Sequence, residues 1–256
     1  MAPPAARKLG IIAARTFGLV LGTVGIVWAV TTFPMFREQA PIKRIASRVI
    51  ASEAFKMDVL AQTIAATKAT EQVGYCRPDA VRSAAIIRLR LVEETFRSGL
   101  VESIDAQMNT LAEVVRGSLS CAPADPFLWF VLHWLENTRG GFDQKNFKYL
   151  RMSYMLGPNE GWIAIKRNRF ALALFKYLPP DLADLAIGEF AHLLESGFND
   201  ELVGIFTGPG WPIRDRLLQG LKNVSKIHRE GFSKALYWQG YDVDVPGVQR
   251  PDHRWW

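Results

Sequence analysis

The sequence predicts an all-α protein, with one N-terminal transmembrane helix followed by a helical-hairpin solenoid or bundle. Three observations predict it. Thr16 to Phe36 runs for 21 residues without a charge. Beyond it, apolar residues recur at three- and four-residue spacing in segment after segment, each opened or closed by Pro, Gly or Asp. No segment alternates as a half-buried strand does. The corresponding organisation is a leader over 1–15, an anchor over 16–36, a helical domain over 37–240 and an extended tail over 241–256.

The charge is segregated along the chain. The net charge of +6 belongs to residues 1–48, which carry seven Lys/Arg and one acidic residue; residues 49–256 carry 24 basic and 24 acidic residues. A nucleic-acid-binding domain carries its positive charge on the folded part, so no nucleic-acid partner is expected. Basic flanks of an apolar span instead suit an anionic lipid surface, and a membrane is the expected partner.

At ~1.5 Å rise per residue the uncharged span covers ~31 Å, about one hydrocarbon core. Arg7, Lys8 and Arg15 precede it, and Arg37, Lys43, Arg44 and Arg48 follow it. The flanks are nearly balanced, so the positive-inside rule alone does not orient the span. A short basic leader before a first span normally stays in the cytoplasm, which puts the large domain outside it. A cleaved signal peptide is the alternative; the apolar stretch is long for one and ends without an A-x-A site. Gly18, Gly22 and Gly25 set a small-residue face that lets a second helix approach closely, or reflect the ordinary abundance of Gly in membrane helices.

The chain has two cysteines, Cys76 in Tyr-Cys-Arg-Pro and Cys121 in Ser-Cys-Ala-Pro. Each stands at a break before a Pro-initiated helix, and neither has metal-ligand spacing to another Cys or His. With the large domain placed outside the cytoplasm, in an oxidising space, Cys76 and Cys121 are expected to form a disulfide; in a reducing compartment they would be two thiols.

The helices follow in order. Pro41 opens one with Ile42, Ile45, Val49 and Ile50 on one side, and Asp58 caps another. Pro78 opens a third, with Val81, Ala85, Leu89, Val92 and Phe96 aligned and Gly99 past its end. Ile104, Met108, Leu111, Val115 and Leu119 form the next stripe. Asp125-Pro126 is an N-cap followed by Pro at the first helical position. The helix it opens is apolar nearly all round yet too short to span a bilayer, so it is the expected central buried helix. Later stripes are Phe147, Leu150 and Tyr154; Trp162, Ile165 and Leu172; and Leu182, Leu185, Ala186, Phe190 and Leu193. Shorter helices follow over 199–206, 213–223 and 226–238.

Pro126 and Pro158 stand 32 residues apart, and Trp129 and Trp162 stand 33 apart. The pattern resembles a tetratricopeptide repeat over about 70 residues. Trp129 and Leu132 match the first-helix Trp and Leu, Tyr149 the second-helix aromatic, and Gly157-Pro158 the closing turn. His133 and Lys145 stand where that family has small residues, and the copy from Trp162 departs further. The resemblance implies a helical-hairpin solenoid used for protein–protein interaction. Cys76-Arg77-Pro78 and Leu156 to Trp162 also resemble segments of single-pass alphaproteobacterial proteins associated with surface-polysaccharide assembly. That likeness tilts the expected function toward envelope assembly, with the protein in a bacterial inner membrane, its large domain periplasmic and an envelope protein as partner.

Catalytic patterns are not found. The histidines at 133, 192, 228 and 253 do not pair at helical spacing, and there is no H-E-x-x-H, G-x-S-x-G or phosphate-cradling loop. Glu93-Glu94 point apart on a helix and read as a solvated face. No cofactor, no metal and no enzymatic activity are expected. Two binding features remain. Lys166, Arg167 and Arg169, with Arg151 on the preceding helix, form a basic patch beside Trp162 able to hold anionic polysaccharide, lipid head groups or an acidic partner, or an ordinary charged helix face. Trp211, in a rigid Gly-Pro-Gly-Trp-Pro turn, docks on a partner or sugar, or packs back on its own helices. The expected function is a membrane-anchored helical scaffold in envelope or exopolysaccharide assembly. An accessory subunit of a larger membrane complex is the second reading and a glycan-cleaving enzyme the third.

Overall fold

The computed structural model describes residues 4–71, 76–99 and 101–249; within them, side chains are described except at 4–12, 34–36, 38, 39, 68–71 and 101–103. The ends of the predicted leader and tail therefore lie outside the described residues. Every regular element among the described residues is helical. The chain divides into two compact units, Met1–Glu94 and Thr95–Trp256.

In the first unit, α1 runs from Pro4 to Ile50, 47 residues or ~70 Å. Within it, Ala13–Phe33 is long and apolar enough to cross a membrane, and none of its residues is buried among the described residues. Its threonines hide their hydroxyls within the helix: Thr23 donates to Leu19 O at 2.7 Å, Thr31 to Val27 O at 2.9 Å and Thr32 to Trp28 O at 2.7 Å. That back-bonding removes the cost of a bare hydroxyl in hydrocarbon. Nothing described lies within 4 Å of a Cβ added at Gly18, Gly22 or Gly25. Pro41 does not open a new helix, contrary to the sequence reading, but lies inside α1. A proline removes one intrahelical donor without forbidding helical φ, and Ile42 and Ala46, one turn apart, are buried where α1 meets α2 (Met57–Glu71). Leu60, Ile64 and Thr67 are the buried residues of α2.

Helix α3, Pro78–Ser98, is opened by its proline and stopped by Gly99 at φ 71°. Glu93 and Glu94 are held along it by Arg90 at 3.3 and 2.7 Å. In the second unit, α4 (Val101–Cys121) buries the five stripe residues read from the sequence. Cys76 and Cys121 are both disulfide-bonded, and the chain has no free cysteine.

Helix α5, Pro126–Gly140, is capped by Asp125, whose carboxylate accepts from Phe127 N at 3.0 Å and Leu128 N at 3.3 Å. It buries eight residues, ends at Gly141 with φ 75°, and packs between α4 and α6 (Phe147–Leu156). Helices α7 (Gly161–Ala173) and α8 (Pro180–Glu195) pair next, followed by α9 (Asn199–Thr207), α10 (Arg214–Gly220) and α11 (Lys226–Trp238). Three rings lock α8, α9 and α11 together: Phe206 lies 6.2 Å from Phe190 and 5.5 Å from Phe232, the latter edge-to-face. Beyond α11, residues 241–249 form no helix or strand and turn at Pro246-Gly247, and Val245 is buried in the same core.

The helix faces differ from the sequence reading on α3, α7 and α8; on α3, Phe96 of the expected stripe is 42% exposed. On α7 the buried residues are Ile163, Ala164, Arg167, Asn168, Ala171 and Leu172, so of the expected stripe Leu172 is buried while Trp162 and Ile165 are half-buried. On α8, Leu185 is exposed while Glu189 faces inward. A charged pair across α7 and α8, described next, sets their rotation.

Candidate functional site

The predicted basic patch is taken apart by the fold. Arg167 is fully buried and is corrected from a surface ligand contact to a core residue. Its Nε donates to Glu189 Oε1 at 2.9 Å and its Nη2 reaches the same oxygen. Its Nη1 donates to Ser153 O at 2.7 Å and Ser153 Oγ at 3.0 Å, and its Nη2 to Gly157 O at 3.0 Å. The guanidinium also lies 4.2 Å from the Tyr154 ring centre. One side chain thus ties α6, its closing turn, α7 and α8. Burial pushes the Glu189 carboxyl up from its ordinary value, and Arg167 pulls against it. Asn168 donates to Ala186 O at 2.7 Å beside it.

The other patch members have separate roles. Lys166 and Arg169 are exposed on α7. Trp162 lies against Phe127 at 5.0 Å and so joins α7 to the start of α5. Trp211 is 36% exposed but packs edge-on against Phe206 at 5.9 Å, meets Tyr241 at 5.6 Å, and carries the Arg214 guanidinium at 5.0 Å. It pins Tyr241, just after α11, to α9, so its main contacts are internal.

Arg151 belongs to a different surface. Its Nε and Nη2 donate to Asp181 Oδ2 at 2.9 and 2.7 Å, which holds that carboxyl below its ordinary value. Arg151 lies in a groove of about 510 Å³. One wall is the start of α6 with the turn before it: Gln144, Lys145, Phe147, Lys148 and Arg151. The other is Tyr177, Leu178 and Pro179, between α7 and α8. Lys145, Lys148 and Arg151 recur at helical spacing, so their charges line one wall. Asp143 is occupied as a cap, accepting from Lys145 N at 2.9 Å. The groove is flanked by an exposed ring pair, Phe142 and Tyr177, with centres 4.6 Å apart. A further cation, Lys176, sits 4.6 Å from the Tyr177 ring centre. Sequence reasoning missed this groove. Its signal was Lys145-Asn-Phe-Lys148 and Lys176-Tyr177, two short basic-aromatic runs that only folding brings together.

Groups resembling catalytic sites resolve into structural ones. Ser225 Oγ lies 3.0 Å from His228 Nδ1, and Glu195 Oε1 lies 3.5 Å from the same nitrogen. A hydrolytic triad needs the nucleophile and the carboxylate on opposite ring nitrogens; here both meet Nδ1 at the start of α11. His133 is buried in α5, its Nδ1 2.9 Å from Asn146 O, between Phe147 and Phe170. Burial lowers its pKa to about 4. Among the described residues no group of three or more His, Cys, Asp or Glu could hold a metal ion. Compared with protein-family models, with curated proteins and with solved structures, the chain matches none.

Proposed function

We propose that the chain is a non-enzymatic, membrane-tethered scaffold of helical hairpins, its helical part on the periplasmic side of a bacterial inner membrane, where it serves envelope or exopolysaccharide assembly. The observation that carries this reading is the pair of disulfide-bonded cysteines in a chain whose first helix offers Ala13–Phe33 to a bilayer. Disulfides persist in oxidising compartments, and an uncleaved first span delivers the chain that follows it to one. The hairpin-repeat part of the reading is supported by Trp129, which stacks on Tyr149 at 6.0 Å across α5 and α6. These are the residues matched to the repeat's first- and second-helix aromatics.

The test is a topology measurement on the full chain. Alkaline phosphatase fused to the C terminus is expected to be active, the protein to stay in the membrane pellet after alkaline carbonate, and both cysteines to resist alkylation until reduced. An inactive fusion overturns the topology. Release by carbonate overturns the tether in favour of a cleaved leader.

A further inference from the structure

We propose that the groove between the start of α6 and the Tyr177–Pro179 segment is a binding site for an acidic saccharide, a sugar unit or short chain bearing carboxylate or phosphate. Its volume of about 510 Å³ lies within the ~300–1,000 Å³ of small-ligand sites. Its chemistry is of two kinds. Lys145 and Lys148 are exposed, and no carboxylate pairs with either among the described residues. Arg151, by contrast, spends its fork on Asp181. Lys148 Nζ lies 4.9 Å from the Tyr149 ring centre, a contact that leaves its charge unneutralised, so the groove's unbalanced charge is carried by ammonium groups, compact charges on flexible stems that accept an anion at several angles. Bidentate, orientation-specific recognition is assigned to Arg, and that capacity is already used here.

The second component is aromatic. Phe142 and Tyr177 are 41% and 42% exposed at the groove's edge, 4.6 Å apart. Phe142 is backed edge-on by Phe147 at 5.6 Å, so the pair is braced rather than loose. A braced ring pair presents an apolar surface with a phenol at its rim, which suits the mixed apolar and hydroxyl faces of a sugar ring. Gln144 adds an amide able to donate and accept. Peptide ligands usually take a sheet edge, an apolar helix groove, an Arg cluster or, when proline-rich, an aromatic-lined groove; an uncharged proline-rich segment would use the rings and leave Lys145 and Lys148 unmatched. The described residues include no strand, and the only Arg in this groove is paired. The groove's chemistry is independent of the side of the membrane on which it lies.

The experiment is calorimetric titration of the full chain in a neutral detergent. The probes are trigalacturonate and glucose 1-phosphate, with maltotriose as the uncharged sugar and triglutamate as the acidic peptide. Either acidic sugar is expected to bind, more weakly as salt is raised, and maltotriose not to bind. Galacturonate titrated beside glucose 1-phosphate, one anionic group on one sugar unit each, identifies the anion. Lys145→Glu with Lys148→Glu is expected to weaken binding at least about tenfold, because the sign of the wall is reversed. Tyr177→Ala is expected to weaken it about threefold or more through the lost ring surface. Unchanged helical content and melting verify that the variants fold; should the double substitution unfold the protein, Lys148→Gln alone serves. No binding of either acidic sugar at millimolar concentration, or undiminished binding by the folded lysine variants, overturns the site. Triglutamate binding as tightly as trigalacturonate overturns the saccharide assignment in favour of an acidic peptide.

Discussion

Replacing Arg167 with Ala removes the only described cation paired with Glu189 and leaves a carboxylate, two backbone carbonyls and a hydroxyl facing the space it vacated. Both partners are shielded from water: the Arg167 side chain is 0% exposed and that of Glu189 5%. Breaking a buried pair by removing one member costs ~3–5 kcal/mol, because the remaining charge is stranded. For a domain of this size ~1 kcal/mol moves the melting temperature by ~2–4 °C, so a fall of roughly 6–20 °C is expected. Melting followed by far-ultraviolet circular dichroism in a mild detergent measures it. The decisive comparison is Arg167→Met with Glu189→Leu. Removing both charges and filling the space with apolar volume can be neutral or stabilising, so the double variant is expected to recover most of the loss. A single substitution costing under ~1 kcal/mol, or a double variant whose cost is the sum of the two singles, would refute the stranded-charge account. Arg167→Lys is expected to recover little, since an ammonium cannot span Glu189, Ser153 and Gly157 together.

Two further outcomes rest on the same unit. His133 is held near pKa 4 when folded, against ~6.5 unfolded. Its neutral form is fully favoured above pH ~6.5, and the unfolded chain takes up the proton first as pH falls. Stability is therefore lost progressively from pH ~6.5 to ~4, by about 3 kcal/mol in all; denaturant titrations across that range measure it, and His133→Leu is expected to flatten the slope. At Gly157 an added Cβ would fall 2.5 Å from Pro126 Cγ and 2.6 Å from its Cβ. The proline ring cannot swing aside, so Gly157→Ala is expected to cost ~1–3 kcal/mol by overpacking. Urea unfolding that shows no shift in midpoint would contradict that contact.

Much of the local structure was determined by the sequence, because it rests on interactions a few residues long. Pro78, the Asp125-Pro126 pair, and glycines 99, 141 and 197, all at positive φ, terminate helices by their own backbone chemistry. The apolar length of Ala13–Phe33 is a property of composition alone. The cysteines' pairing was also legible, from their number and their place at helix junctions. What only the tertiary structure decided is the rotation of each helix and the meeting of distant segments. The sequence of α7 offers Arg167 as one of three neighbouring cations, and nothing local separates it from Lys166 or Arg169. Glu189, 22 residues away on α8, turns Arg167 inward and leaves the other two in solvent. The same pairing carries Glu189 into the core, and Leu185, one turn earlier, stays outside. The groove exists only because α6 and the segment before α8 lie side by side, bringing Lys145 and Lys148 to Tyr177. A helical period specifies which residues share a face; which face is covered, and by what, follows from the neighbouring helices and from the energy of leaving a buried charge alone.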